Sequence, residues 1–173
     1  MKTIVDGTII KKYEVPIDMI DELNQEYEKN KNSLHSNSEK LAGRLEIELS
    51  ILSIIQKLKI FKKINFFIND YMMTLNNFGL LAKPQIKTNI TSCWINDMKE
   101  GEYNPVHTHN GPTNDGWSCV LFLKVPEFVN DVKHKHKFHD GQLCFLGYDK
   151  RMYWITPEVG DFYLFQADQR HTV

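Results

Sequence analysis

Residues 100–109, Glu-Gly-Glu-Tyr-Asn-Pro-Val-His-Thr-His, place His107 and His109 two positions apart. Side chains at i and i+2 of an extended segment point to the same side. Two imidazoles so placed can reach one cation, and imidazole suits iron, zinc, copper and nickel alike. The pair therefore points to a metal centre and leaves the metal open. A third group has to come from elsewhere. His171 lies 64 positions beyond His107 (171 − 107), just after the apolar run Asp-Phe-Tyr-Leu-Phe-Gln at 161–166. In a rolled sheet, strands distant in sequence lie side by side. The three histidines can then meet on one face of an ion and leave its other face open to reactants. A histidine pair alone is also common on ordinary surfaces, so the distal histidine decides between the two readings.

Those histidines need strands to carry them, and the chain changes character midway. Ile17, Ile20, Leu23 and Tyr27 repeat at helical spacing after Pro16, which suits a first helical turn. Acidic residues come early in this helix and lysines late, as the helix dipole favours. The polar stretch Asn-Ser-Leu-His-Ser-Asn-Ser-Glu at 32–39 reads as a linker, and residues 40–49 show no clear period. A long amphipathic helix is expected over about 51–78, capped by Gly79. Before all of this, two short β-rich runs flank Asp6-Gly7, a pair favoured in tight hairpin turns.

From about residue 86 the pattern becomes strands and loops. Residues 88–96 alternate, and 117–125 form an apolar run ended by Pro126. Runs at 141–147, 151–157 and 161–166 are short and separated by Gly, Pro and Asp. The expected fold is α+β: a jelly roll, or double-stranded β-helix, over about 86–173, with helices over about 16–80 packed on it. A length of 173 residues fits one domain, 1–173, that can bury a sizeable core.

Bulk properties narrow the function. With 21 basic and 22 acidic residues the net charge is −1, which advertises neither a nucleic-acid nor a membrane-surface partner. No apolar run is long enough to span a membrane. Cys93, Cys119 and Cys144 are odd in number and lack CxxC spacing, so they read as small buried hydrophobes in a reducing, cytoplasmic setting. A second cluster, His134, His136 and His139, alternates with lysines and reads as a solvated loop, although Asp140 beside it would complete a rival metal site.

Taken together, the segments at 93–110, 116–126, 141–147 and 157–171 resemble the 2-oxoglutarate and Fe(II)-dependent oxygenase superfamily. That family combines a His-x-Asp or His-x-Glu pair, a Pro-x-x-Gly-Asp turn (here Pro157 to Asp161) and a distal histidine. Within it, the chain looks closest to oxygenases of tailed phages of marine cyanobacteria, which would place it in a host cytoplasm. The resemblance implies Fe(II) held by His107, His109 and His171, and 2-oxoglutarate as small-molecule co-substrate. It implies Tyr103, Trp94 and Ser118 near that co-substrate, with Phe122 lining the roll. Asp161 is then expected to shape its turn, and Asp168 and Gln169 to set the backbone that presents His171.

Two features depart from the family. His109 stands where the motif carries a carboxylate, and Asp115 is the alternative carboxylate ligand. The family also places an Arg or Lys on the strand after the distal histidine, where a basic group pairs with the far carboxylate of 2-oxoglutarate. Such a residue and strand are expected beyond Val173. The competing expectations are a cupin-like three-histidine dioxygenase that uses no 2-oxoglutarate, and a non-catalytic jelly-roll binding module. The primary substrate is not legible.

Overall fold

The computed structural model describes residues 3–5, 8–36, 45–81, 87–109, 116–127 and 141–173. The Asp6-Gly7 turn, Asp115 and the cluster of His134, His136, His139 and Asp140 lie outside the described residues. Two antiparallel sheets face each other, and helices cover one of them. The first sheet has the order β1-β2-β8-β5. Its strands are β1 (Thr3–Val5), β2 (Ile9–Glu14), β5 (Trp117–Leu121) and β8 (Asp161–Gln166). The second has the order β7-β6-β9, from β6 (Leu143–Leu146), β7 (Met152–Ile155) and β9 (His171–Thr172). A two-stranded sheet pairs β3 (Glu48–Ser50) with β4 (Trp94–Asn96). Val5 sits opposite Ile9, so residues 6–8 join the two strands, one residue more than a two-residue Asp6-Gly7 turn would leave.

Strand β8 organises both cores because its side chains alternate between them. Phe162 and Leu164 point to the helices and join Tyr13, Ile20, Leu23, Phe67 and Tyr71 in one cluster. Tyr163 and Phe165 point the other way and meet Leu143 and Phe145 of the facing sheet. A strand buried on both faces needs an apolar side chain at nearly every position, which explains the unbroken run Phe-Tyr-Leu-Phe. Each such residue stabilises the fold by about 1.5–3 kcal/mol relative to exposure.

The helical layer is α1 (Ile17–Asn30), α2 (Leu52–Ile55) and α3 (Lys59–Asn77). The single helix expected over 51–78 is broken at Leu58, whose backbone is extended. The apolar phase explains the break. Ile55 and Ile60 are both buried, yet five residues at about 100° each would set them about 140° apart on a continuous helix. Restarting the helix lets both reach the core. At the far end the expected cap forms: Gly79 adopts φ +67°, and the N–H groups of Gly79 and Leu80 donate to the carbonyls of Asn76 and Leu75. No helix of the described residues is long and apolar enough to cross a membrane.

Helix α3 is docked on β2 by a partly buried polar contact. Lys11 Nζ is 2.6 Å from Asp70 Oδ2 and donates to Thr74 Oγ1 at 2.6 Å, while Tyr13 OH donates to Asp70 at 2.8 Å. Burial works against the Asp70 charge, but the bonds from Lys11 and Tyr13 prevail and hold the carboxyl below its ordinary value. The Pro-x-x-Gly-Asp turn anchors β8 in the same thorough way. Gly160 has φ +91°, and a Cβ there would lie 2.8 Å from the Val15 carbonyl oxygen. Its own carbonyl accepts from Val15 N–H at 2.9 Å. Only glycine fits both the backbone and the approach. Asp161 shapes this turn as expected, its carboxylate accepting from Glu158 N–H at 3.1 Å.

Candidate metal centre

The segment carrying His107 and His109 docks on the last strand, and an irregular register aims its side chains. Asn104 and Val173 exchange backbone hydrogen bonds, and so do His107 and His171. Three steps on one strand therefore match two on the other, which makes a bulge at Pro105-Val106. Proline suits it, having no N–H to leave unpaired. Beyond the histidine pair, His109 N–H donates to the Ala167 carbonyl at 2.8 Å. Two steps now match four, so residues 168–170 loop out just before His171.

This register brings the three expected histidines together. Ring centroids are 4.8 Å apart for His107 and His109, 4.3 Å for His107 and His171, and 5.0 Å for His109 and His171. Ligating nitrogens from all three lie within 4.8 Å of one another. His107 Nδ1 is 2.7 Å from the Pro105 carbonyl and His171 Nδ1 is 3.0 Å from the Gln169 carbonyl. A carbonyl only accepts, so each Nδ1 carries a hydrogen, and in the neutral ring Nε2 is then the nitrogen with the lone pair. Such outer hydrogen bonds fix ligand histidines in metal sites.

Burial favours the neutral form of two of the rings, His109 and His171. His171 is 2% exposed. Burial, above all, pushes its pKa down to about 3; the contact with the Gln169 carbonyl opposes this, and the two neighbouring rings add to it. Burial, and then His107, push His109 down to about 4. Neutral imidazole is the ligating form. Among the described residues no carboxylate joins the cluster.

The remaining sequence expectations divide. Trp94 is brought in, its ring 5.3 Å from that of His109. Ser118 stands opposite Phe165, on the face of β5 turned to the second sheet. Phe165 in turn packs edge-on against His171 at 4.8 Å. Phe122 lies in the inter-sheet core, edge-on to Tyr163. Tyr103 is half exposed, and no ring contact joins it to the histidines among the described residues. Gln169 presents His171 through its carbonyl, while its side-chain amide donates to the carbonyls of Leu146 and Arg170. Asp168 accepts from Tyr148 OH at 3.1 Å. Glu48, Ser50 and Asn96 share a face with Trp94, and nothing in the local sequence marks them. The one available signal is polar residues on a strand whose alternate positions are apolar.

Comparison with solved structures gives the fold class. A crystal structure of a Pseudomonas putida prolyl-4-hydroxylase superposes with a TM-score of 0.63 over 98% of this chain and 85% of that one, at 16% identity. The chain thus has the double-stranded β-helix fold with amino-terminal helices. The family model described as "Putative 2OG-Fe(II) oxygenase" matches residues 92–173, a segment that contains all three histidines. No curated protein sequence matches the chain. The narrower likeness to phage oxygenases finds no support in these comparisons.

Proposed function

We propose that this chain is an Fe(II)- and 2-oxoglutarate-dependent oxygenase acting on a small molecule or side chain that enters beside the three histidines. The observation that carries the reading is the convergence of three imidazoles, two of them tied at Nδ1 by backbone carbonyls, in a roll whose carboxyl-terminal part matches an oxygenase family. The donor set suits iron(II), for which imidazole is an ordinary ligand. With 2-oxoglutarate bound, iron(II) supplies the oxidation of a C–H bond by O2, with release of succinate and CO2.

The chain's own residues do the positioning. His107 and His171 are held in the ligating tautomer by the Pro105 and Gln169 carbonyls. Phe165 and Phe145 form an apolar wall behind His171 and keep that side of the site dry. Trp94 covers His109, and with Ser118 it offers a surface for the co-substrate. Lys12, on the inner face of β2, is engaged by Asp161, so the co-substrate's far carboxylate calls for another cation.

The all-histidine donor set specifically favours one rival reading, a cupin-like dioxygenase in which substrate itself meets the metal and 2-oxoglutarate has no part. Anaerobic addition of Fe(II) and then 2-oxoglutarate separates the two. The proposal expects a weak visible charge-transfer band and, in air, succinate formed only with 2-oxoglutarate. Iron bound by the histidines without band or succinate would overturn it in favour of the rival.

A further inference from the structure

Strands β3 and β4 present one apolar and one polar face. Leu49 and Ile95 stand opposite each other and pack into the helical core. The alternate positions, with Glu48 opposite Asn96 and Ser50 opposite Trp94, turn the other way. Trp94 fixes where that face looks, because its ring lies 5.3 Å from His109. Glu48, Ser50 and Asn96 therefore continue the wall of the metal centre, with Asn96 about 7 Å along the strand from Trp94.

Two of these groups lack partners: a carboxylate on a nearly covered residue, and a fully buried amide oxygen. Glu48 is 7% exposed and makes no hydrogen bond or ion pair among the described residues. The Asn96 Oδ1 atom is buried and likewise unpartnered. Buried acceptors left unsatisfied are costly, and a folded protein keeps few of them. Glu48 and Asn96 Oδ1 are acceptors, and the Ser50 hydroxyl can act as one. The complement of such a wall is a group that only donates and carries positive charge.

We propose that the face formed by Glu48, Ser50 and Asn96 binds an ammonium or guanidinium group of the primary substrate and so holds a neighbouring C–H bond toward the histidines. This rests on the oxygenase reading and names the substrate class it leaves open: amines and guanidines, free or on a side chain. Burial pushes the Glu48 carboxyl up from its ordinary value, as befits a carboxyl lacking its counterion.

The test uses the full chain and small probes. Butylammonium and methylguanidinium are titrated by ligand-observed NMR, with butanol and methylurea as neutral counterparts, and the Fe(II) and 2-oxoglutarate band is recorded on the same preparation. The expected result is saturable binding of the cations only, weakened at least about tenfold by Glu48→Gln, the loss expected for a charge-assisted hydrogen bond. Should that variant be unfolded by circular dichroism, Asn96→Leu replaces it with the same expectation. Equal binding of neutral and cationic probes, no cation binding, or cation binding indifferent to the folded variant overturns the inference while the band stands. Cation binding without the band overturns the oxygenase reading, and with it the substrate role of this face.

Discussion

Lys12 and His171 both face the space between the two sheets, yet their surroundings differ in kind. Lys12 Nζ lies 2.6 Å from Asp161 Oδ1, whose other oxygen accepts from Tyr163 OH at 3.1 Å. Burial first, and then Asp161, raise the Tyr163 hydroxyl pKa, so it stays protonated and donates. Every charge there is matched from within the chain. The histidine cluster is the reverse. Two rings are tied at Nδ1 by backbone carbonyls, ligating nitrogens of all three rings converge, and no acidic group joins them among the described residues. A satisfied buried cluster reads as structure. A convergent cluster with its ligating atoms left over reads as a site awaiting a cation.

The largest effect that would sharpen this contrast comes from His171→Ala. Loss of an outer hydrogen-bond partner costs about 10–100-fold in metal affinity, and loss of a ligand should exceed that. Iron(II) titration should show affinity down by more than about 100-fold, succinate formation should vanish, and circular dichroism should stay near that of the parent. An alanine variant that binds iron(II) as before would break the comparison. Next comes Lys12→Met, which leaves the Asp161 carboxylate buried without its cation. Removing one partner of a buried pair costs about 3–5 kcal/mol, and the partial exposure of Lys12 places the expectation near 3. Urea denaturation should show that loss with iron(II) affinity unchanged. Lost 2-oxoglutarate binding at full stability would instead move Lys12 into the site.

Acid should separate the clusters by pH. The folded state depresses His171 to about 3 and His109 to about 4, against about 6.5 when unfolded. The unfolded chain therefore binds more protons below pH 6.5. Stability from these rings is fully present above that value and is lost as pH falls, at up to about 1.4 kcal/mol per pH unit for each ring. Asp70 is a depressed carboxyl, so its contribution is present above its ordinary value of 3.8 and is lost only below it. Metal-free protein should weaken first between about pH 6 and 4. His171→Gln should flatten that limb in denaturant midpoints, and Asp70→Asn should leave it in place.

How far the molecule was legible from its sequence depends on where the deciding contact lies. Strands β5 to β8 are apolar runs bounded by Gly, Pro and Asp, so their existence is a local matter. Helix α1 announces itself in the same way through Ile20, Leu23 and Tyr27. The interruption at Leu58 is less plain, because the stripe shifts phase by five residues between Ile55 and Ile60 while the composition stays helical. Strand β4 is shorter than the alternation over 88–96 suggests, since its partner β3 offers only Glu48 to Ser50. The histidine trio was readable because a rolled sheet brings a distal strand back beside an early one. The bulge at Pro105 that aims two of its members was not, because register is set by the partner strand. Glu48 was equally hidden, since no neighbour in sequence reports that it is covered.

The smallest effect concerns the support of His171. Gln169 is 3% exposed, and its amide spans the Leu146 and Arg170 carbonyls at 2.9 and 2.8 Å, tying the loop before His171 to β6. Gln169→Ala removes both bonds and leaves the main-chain carbonyl that meets His171 Nδ1 in place. Each lost bond is worth about 0.5–1.5 kcal/mol, so a stability loss of about 1–2 kcal/mol is expected. Iron(II) affinity should fall by less than about tenfold, since the ligand survives and only its mooring slackens. Gln142 makes a comparable amide contact, to Thr156 Oγ1 at 2.8 Å, at the surface and on the other side of β6 from the turn. Gln142→Ala should therefore move stability by no more than about 0.5 kcal/mol, the usual range for surface changes, and leave metal affinity alone. Equal effects from the two alanines, in either measurement, would mean that the 168–170 loop does not position His171.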